Sequence, residues 1–280
     1  MSRTAARRRR NPLLALLVLV TGWALVAAPT PLAHAGMHWT YDLEYASISG
    51  NELTDNGQTY RLEKLNAGGY PTISTEQARN GVHSLKASIP PSGYARSEVI
   101  NALNVGMRTI DAYSFNVFVP SGHQPPRGAQ WQIISQIWQT GCGSPPIAID
   151  LQPNSDPLVY RVLLRNDTTG YRPTQAPKTL VKGNLPRNRW VQFAIEYNIH
   201  PTETGQADFK LYVDGQVVPT SFDHGDTIGY SRVEADCVYP VNDVVRIKNG
   251  LYRGGAQWEQ TQTLYFDDMR FGDRIADVMI

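Results

Sequence analysis

The sequence predicts an all-β fold, a sandwich of jelly-roll type, on three observations. Short segments of alternating apolar and polar residues recur along the chain. Gly, Pro, Asn and Asp separate them. No stretch sustains helical periodicity over several turns, and no strand–helix alternation is present, which excludes doubly wound nucleotide-binding folds. With 41% hydrophobic and 18% charged residues, the chain has the makings of a packed core rather than a disordered polymer.

The first element is a leader. Arg3, Arg7, Arg8, Arg9 and Arg10 precede an apolar run from Pro12 to Ala28, and Ala33-His34-Ala35 has the small-x-small form of a cleavage site. Residues 1–35 therefore read as a signal peptide and 36–280 as a single domain. The run is long enough to span a bilayer, but there is no second span and the cleavage signature favours secretion; general and twin-arginine export both stay open. Cleavage removes five of the 26 basic residues and none of the 25 acidic ones, leaving about −4. That balance argues against nucleic acid as a partner, because phosphate binding needs clustered positive charge, while local arginines still allow an anionic ligand. A monomer without stable membrane association is the expectation.

The remaining elements follow in order. Glu76–Asn80 reads as one helical turn before Gly81. Tyr94–Ile100, Tyr113–Val119, Gln130–Trp138, Leu158–Arg165, Trp190–Ile199, Ile247–Gly254 and Thr263–Phe271 read as strands. Phe209–Val218 reads as a hairpin, since Asp214-Gly215 between apolar arms suits a tight turn. Cys142 and Cys237 sit in turn-like surroundings of an exported chain and read as a disulfide, worth about 4 kcal/mol in the chain-entropy model. Neither cysteine has a ligand-spaced partner, so no metal site and no cofactor is expected. Asp267 and Asp268 point to opposite faces and read as structural; carboxylates suit calcium, but no spacing specifies a site.

Side chains alternate sides along a strand, so parity assigns faces. In Gln130–Trp138, Trp131, Ile133, Ser135 and Ile137 read as core, and Gln132, Ile134, Gln136 and Trp138 as the other face. Two amides and an indole suit a sugar-binding groove, although an ordinary solvated face fits the same pattern. Lys248, Gly250 and Tyr252 share a face, the two outer ones roughly 13 Å apart. Gly250 reads as a gap that lets a ligand reach the backbone, or as a bulge glycine. Tyr94, Arg96 and Glu98 share another face, where Glu98 either forms a surface ion pair or orients the guanidinium toward a carboxylate. Arg161 and Arg165 extend a positive groove or are solvated strand charges. A paired-carboxylate glycosidase is less well supported, for lack of two acids on one compact strand face.

Three segments carry a resemblance. Arg96-Ser97-Glu98-Val99 resembles the Arg-Ser/Thr-Glu strand, Gln136-Ile-Trp138 the Gln-x-His strand, and Lys248-Asn-Gly250-Leu-Tyr252 the Lys-x-Gly-x-Tyr strand of the jelly-roll polysaccharide lyases, a group of concanavalin-like sandwiches that includes alginate, glucuronan and heparin I lyases. The resemblance implies a secreted enzyme that cleaves an anionic, uronate-containing polysaccharide by β-elimination. It implies Arg96 and Gln136 as groups that neutralise the uronate carboxylate, and Tyr252 as base, acid or both. Lys248 and Arg253 would supply a field that depresses Tyr252, and Glu98, Gln132, Trp138, Arg161, Arg165 and Arg253 would contact substrate. Trp138 stands where the family has histidine. His83 is the least unsuitable substitute, while His123, His200 and His224 read as solvated loop residues. A non-catalytic carbohydrate-binding jelly roll is the alternative.

Overall fold

Alternating polar and apolar residues suit a sheet with one buried face, and the segments that carry them are strands. The computed structural model describes residues 39–101, 105–106, 109–140, 144–167, 176–201, 203–230 and 244–279. Residues 1–35, which carry the expected signal peptide, and His38, Cys142 and Cys237 lie outside the described residues, so the expectations of a signal peptide and a disulfide rest on the sequence.

Two antiparallel sheets pack face to face. The eight-stranded sheet runs Gln216–Val218, Asp208–Val213, Trp190–Asn198, Ile110–Phe118, Gln262–Gly272, Ser84–Ile89 and Thr72–Ser74, with Trp39–Tyr41 also against Gln262–Gly272. The ten-stranded sheet runs Lys178–Asn184, Val159–Leu164, Ile147–Leu151, Trp131–Gln139, Val244–Gly254, Ala95–Asn101, Gln58–Leu65, Glu52–Asp55 and Ser47–Ser49, with Val105–Gly106 also against Val244–Gly254. Neighbours such as Ala95–Asn101 and Val244–Gly254 are far apart in sequence, so the sheets are wound together. This is the jelly roll that the alternation predicts.

The core lies between the sheets. Phe115 and Phe193 stack at 5.4 Å, and Tyr160 of the larger sheet meets Phe193 edge-on at 5.0 Å. Tyr113 Oη and Ser135 Oγ, 2.9 Å apart, join the sheets through a buried hydrogen bond. Asp214 and Gly215, with φ of 49° and 76°, turn the expected hairpin.

Three local expectations change. Glu76–Asn80 is not helical. Instead the backbone N–H groups of Arg79 and Asn80 donate to Asp267 Oδ2, and the Asn80 side chain donates to Asp268 Oδ2. Asp267 and Asp268 thus turn to one loop rather than to opposite faces, because a bulge follows Asp267 and Asp268 has φ of 45°. Among the described residues the one α-helix is the four-residue Ile275–Val278, and no helix is long and apolar enough to cross a membrane.

The third change sets the site. In Trp131–Gln139 the ladder slips between Ile133 and Ser135: Ile133 stands opposite Tyr252, and Ser135 opposite Asn249. Ile134 packs in the core and Ser135 bonds to Tyr113, so two consecutive residues face inward. Parity is reversed on either side of that bulge.

Candidate active site

One transverse row of the ten-stranded sheet reads Lys182, Arg161, Asp150, Ile133, Tyr252, Arg96 and Leu65, each opposite the next. Opposite residues share a face, and this row projects away from the other sheet. On the same face, Gly250 stands opposite Glu98 and Glu98 opposite Glu63, while Gln136 stands opposite Lys248. The sheet thereby gathers Arg96, Gln136, Lys248 and Tyr252 from three adjacent strands.

Two carboxylates bind the donors together. Glu63 Oε2 accepts from Arg96 Nη1 at 2.7 Å and from Lys248 Nζ at 3.0 Å. Glu98, fully buried, lies 3.0 Å from Arg96 Nε and accepts from Gln136 Nε2 at 2.5 Å. Burial opposes ionisation of Glu63, yet Lys248 and Arg96 hold its carboxyl below the usual range. In Glu98 burial wins over the same cations and pushes the carboxyl up. Burial also pushes the Lys248 ammonium down, against the pull of Glu98 and Glu63. Lys248 Nζ sits 4.0 Å from the centre of the Trp138 ring, which replaces the missing hydration of the ammonium with a π face.

The phenol of Tyr252 is enclosed on several sides. Its ring centre lies 4.1 Å from the Arg96 guanidinium and 4.8 Å from Trp131, and its hydroxyl is hydrogen-bonded to that of Tyr94. Burial first, and then the Tyr94 hydroxyl, push Tyr252 up to about 12, against the charge of Arg96. Two glycines make the arrangement possible. A Cβ on Gly250, at φ 147°, would stand 2.2 Å from Ser97 O, so the gap read as an approach path is filled by the neighbouring strand. A Cβ on Gly254 would fall within 2.9 Å of both Trp131 and Tyr94, so glycine there leaves room for these two rings.

The polysaccharide lyase family model matches residues 46–270, which takes in every strand of this site. The chain belongs to the polysaccharide lyase family. The lyase is similar in fold to an endo-β-1,4-glucuronan lyase of the fungus Trichoderma reesei, at 19% identity over 80% of this chain and 94% of that one, with a TM-score of 0.56. An alginate lyase of the marine Aplysia kurodai aligns at 10% identity over 72% of this chain and 86% of that one, with a TM-score of 0.46. No curated protein matches the sequence.

The structure of the lyase relocates several residues. Gln132 is fully buried on the side opposite the groove, with its Nε2 2.9 Å from His123 Nε2; the bulge has exchanged it with Trp131, expected in the core and found beside Tyr252. Arg253 is fully buried as well, donating to Pro90 O and Ser92 Oγ, its guanidinium 4.9 Å from the Trp258 ring centre; it contacts neither substrate face nor Tyr252. Glu98 lies beneath the site and holds Arg96 and Gln136 in place. Arg161 shares the face of Tyr252, with Nε and Nη2 both donating to Asp150. Arg165 shares that face and donates to Pro145 O. Trp138 lies over Lys248 on the face that carries Gln136. His123 and His200 are buried rather than solvated, and the partner of His83 is Glu44, so neither His83 nor His123 joins the tyrosine. Among the described residues no group of three or more His, Cys, Asp and Glu converges as a metal site. Glu63 and Asp150 carry no local signal in the sequence, and Tyr94 is marked there only by its face.

Proposed function

We propose that this lyase is secreted after removal of residues 1–35 and cleaves a uronate-containing polysaccharide by β-elimination on the outer face of the ten-stranded sheet. The observation that carries the reading is the meeting of Arg96, Gln136 and Tyr252, brought together from three separate stretches of chain. Elimination requires that the uronate carboxylate be neutralised, so that the carbon beside it becomes acidic enough to lose a proton. Arg96 has five N–H donors, of which Glu63 takes one on Nη1 while Nε stands 3.0 Å from Glu98, and Gln136 keeps a second amide hydrogen for the substrate. These donors are fixed before the substrate arrives, so they stabilise enolate-like charge with little reorganisation. Tyr252 beside Arg96 takes the proton.

Charge supports the direction of binding. Around Tyr252 two cations face two carboxylates, whereas at the far end of the row Arg161, Arg165 and Lys182 face Asp150. A polyanion would lie across the strands, with its distal carboxylates toward that cationic end. The fold likeness to a glucuronan lyase makes polyglucuronate the first substrate to try, with alginate and heparin beside it.

The test is ultraviolet absorbance of the unsaturated uronate product. Absorbance is expected to rise on at least one of the three polymers, and Tyr252→Phe to lower the rate on the order of 10²–10⁴-fold. Binding without any product, unchanged in Tyr252→Phe, would establish a carbohydrate-binding role instead.

A further inference from the structure

Tyr94 is unexplained by the roles given so far. It precedes Ala95–Asn101, is 45% exposed, and directs its hydroxyl onto that of the half-buried Tyr252. Its ring centre lies 5.6 Å from that of Tyr252 and 6.1 Å from that of Trp131, so the tyrosine is packed in place rather than loosely attached to the surface. Asn66 Nδ2 donates to its backbone carbonyl at 2.6 Å and fixes the start of the strand. Gly254 is the opening into which the ring fits.

We propose that Tyr94 is a second catalytic residue, the general acid that protonates the leaving glycosidic oxygen while Tyr252 acts as the base. This rests on the eliminative reading above and divides between two phenols what one would otherwise do in sequence. The cycle balances. Tyr252 as phenolate takes the proton from the carbon beside the carboxylate. The electron pair left behind forms the carbon–carbon double bond and expels the glycosidic oxygen, which takes the proton of Tyr94. Tyr252, now neutral, passes its proton along the hydroxyl–hydroxyl bond to the Tyr94 phenolate. Both side chains are then in their starting states, and no outside proton is consumed. The placement fits the roles: the base is half-buried against Arg96, which stabilises its anion, and the acid is the more exposed partner.

Tyr94→Phe keeps the ring and removes the hydroxyl, so folding should be retained, which a thermal melt checks. On whichever polyuronate the unaltered lyase cleaves fastest, the variant should lose on the order of 10²–10⁴-fold in kcat. A synthetic uronide with 4-nitrophenolate in place of the leaving sugar needs no acid, so on it the variant should stay within about tenfold of the unaltered chain, whereas Tyr252→Phe should fail on both. An alkaline phenolate titration supplies a readout independent of turnover: beyond the loss of one phenol, a second midpoint should move in Tyr94→Phe. Equal losses on both leaving groups, or no loss on the polymer, would overturn the acid role while leaving the lyase reading intact. No product from the unaltered chain on any uronate polymer would overturn both.

Discussion

At the scale of single residues, Tyr252 occupies surroundings that favour its neutral form. Burial and the Tyr94 hydroxyl push it up to about 12, and Arg96 only partly offsets them. In the proposed elimination the base is the phenolate, whose fraction grows about tenfold per pH unit below that value. We therefore expect kcat/KM on a polyuronate to climb through the neutral range into the alkaline one. A profile flat from pH 6 to 9 would rule out a rate set by this ionisation. Three short motifs in the sequence announce Arg96, Gln136, Lys248 and Tyr252. None announces Glu63, which lies 33 residues from Arg96 and 185 from Lys248 on an ordinary alternating strand. A carboxylate that serves two distant cations leaves no local pattern to read.

At the scale of elements, strand existence was legible because period-two alternation is a local property, but side-chain direction was not where a bulge intervenes. Parity placed Gln136 and Trp138 correctly and misplaced Trp131 and Gln132, on the other side of Ile134 and Ser135. A bulge is settled by the two strands that flank it, so one strand's sequence cannot announce it. Gly250 shows the converse, a residue visible in the sequence whose reason is a neighbour's backbone. Gly250→Ala places a methyl against Ser97 O at positive φ and should cost about 1–3 kcal/mol. Denaturant unfolding measures it. Gly254→Ala presses on Trp131 and Tyr94 instead, so activity should fall further than stability does.

At the scale of the whole molecule, pH acts through groups that hold the sandwich together behind the groove. His123 is buried, with Nδ1 3.0 Å from Thr263 O and Nε2 2.9 Å from the Gln132 amide nitrogen. A carbonyl only accepts and an amide N–H only donates, so Nδ1 carries the proton and the ring is neutral. Burial pushes it down to about 4. A histidine lowered on folding contributes stability that is present above its ordinary value near 6.5 and is lost as pH falls toward 4, on the order of 3 kcal/mol. Asp111 and Asp267, both raised to about 6 by burial, act in the opposite sense as they protonate. The histidine contribution should therefore appear in the difference between the unaltered chain and His123→Gln, measured by denaturant unfolding at pH 7 and pH 4.5. An identical pH dependence in the two proteins would exclude it.

Glu63 has one more implication, for chains shortened at the front. A version beginning just after Leu65 would still contain all three signatures and every donor proposed to meet the substrate. It would have lost the single oxygen shared by Arg96 and Lys248. Two like charges would then stand together without their common anchor, so an inventory of signatures would score such a fragment as intact although the cluster of Arg96 and Lys248 had come apart.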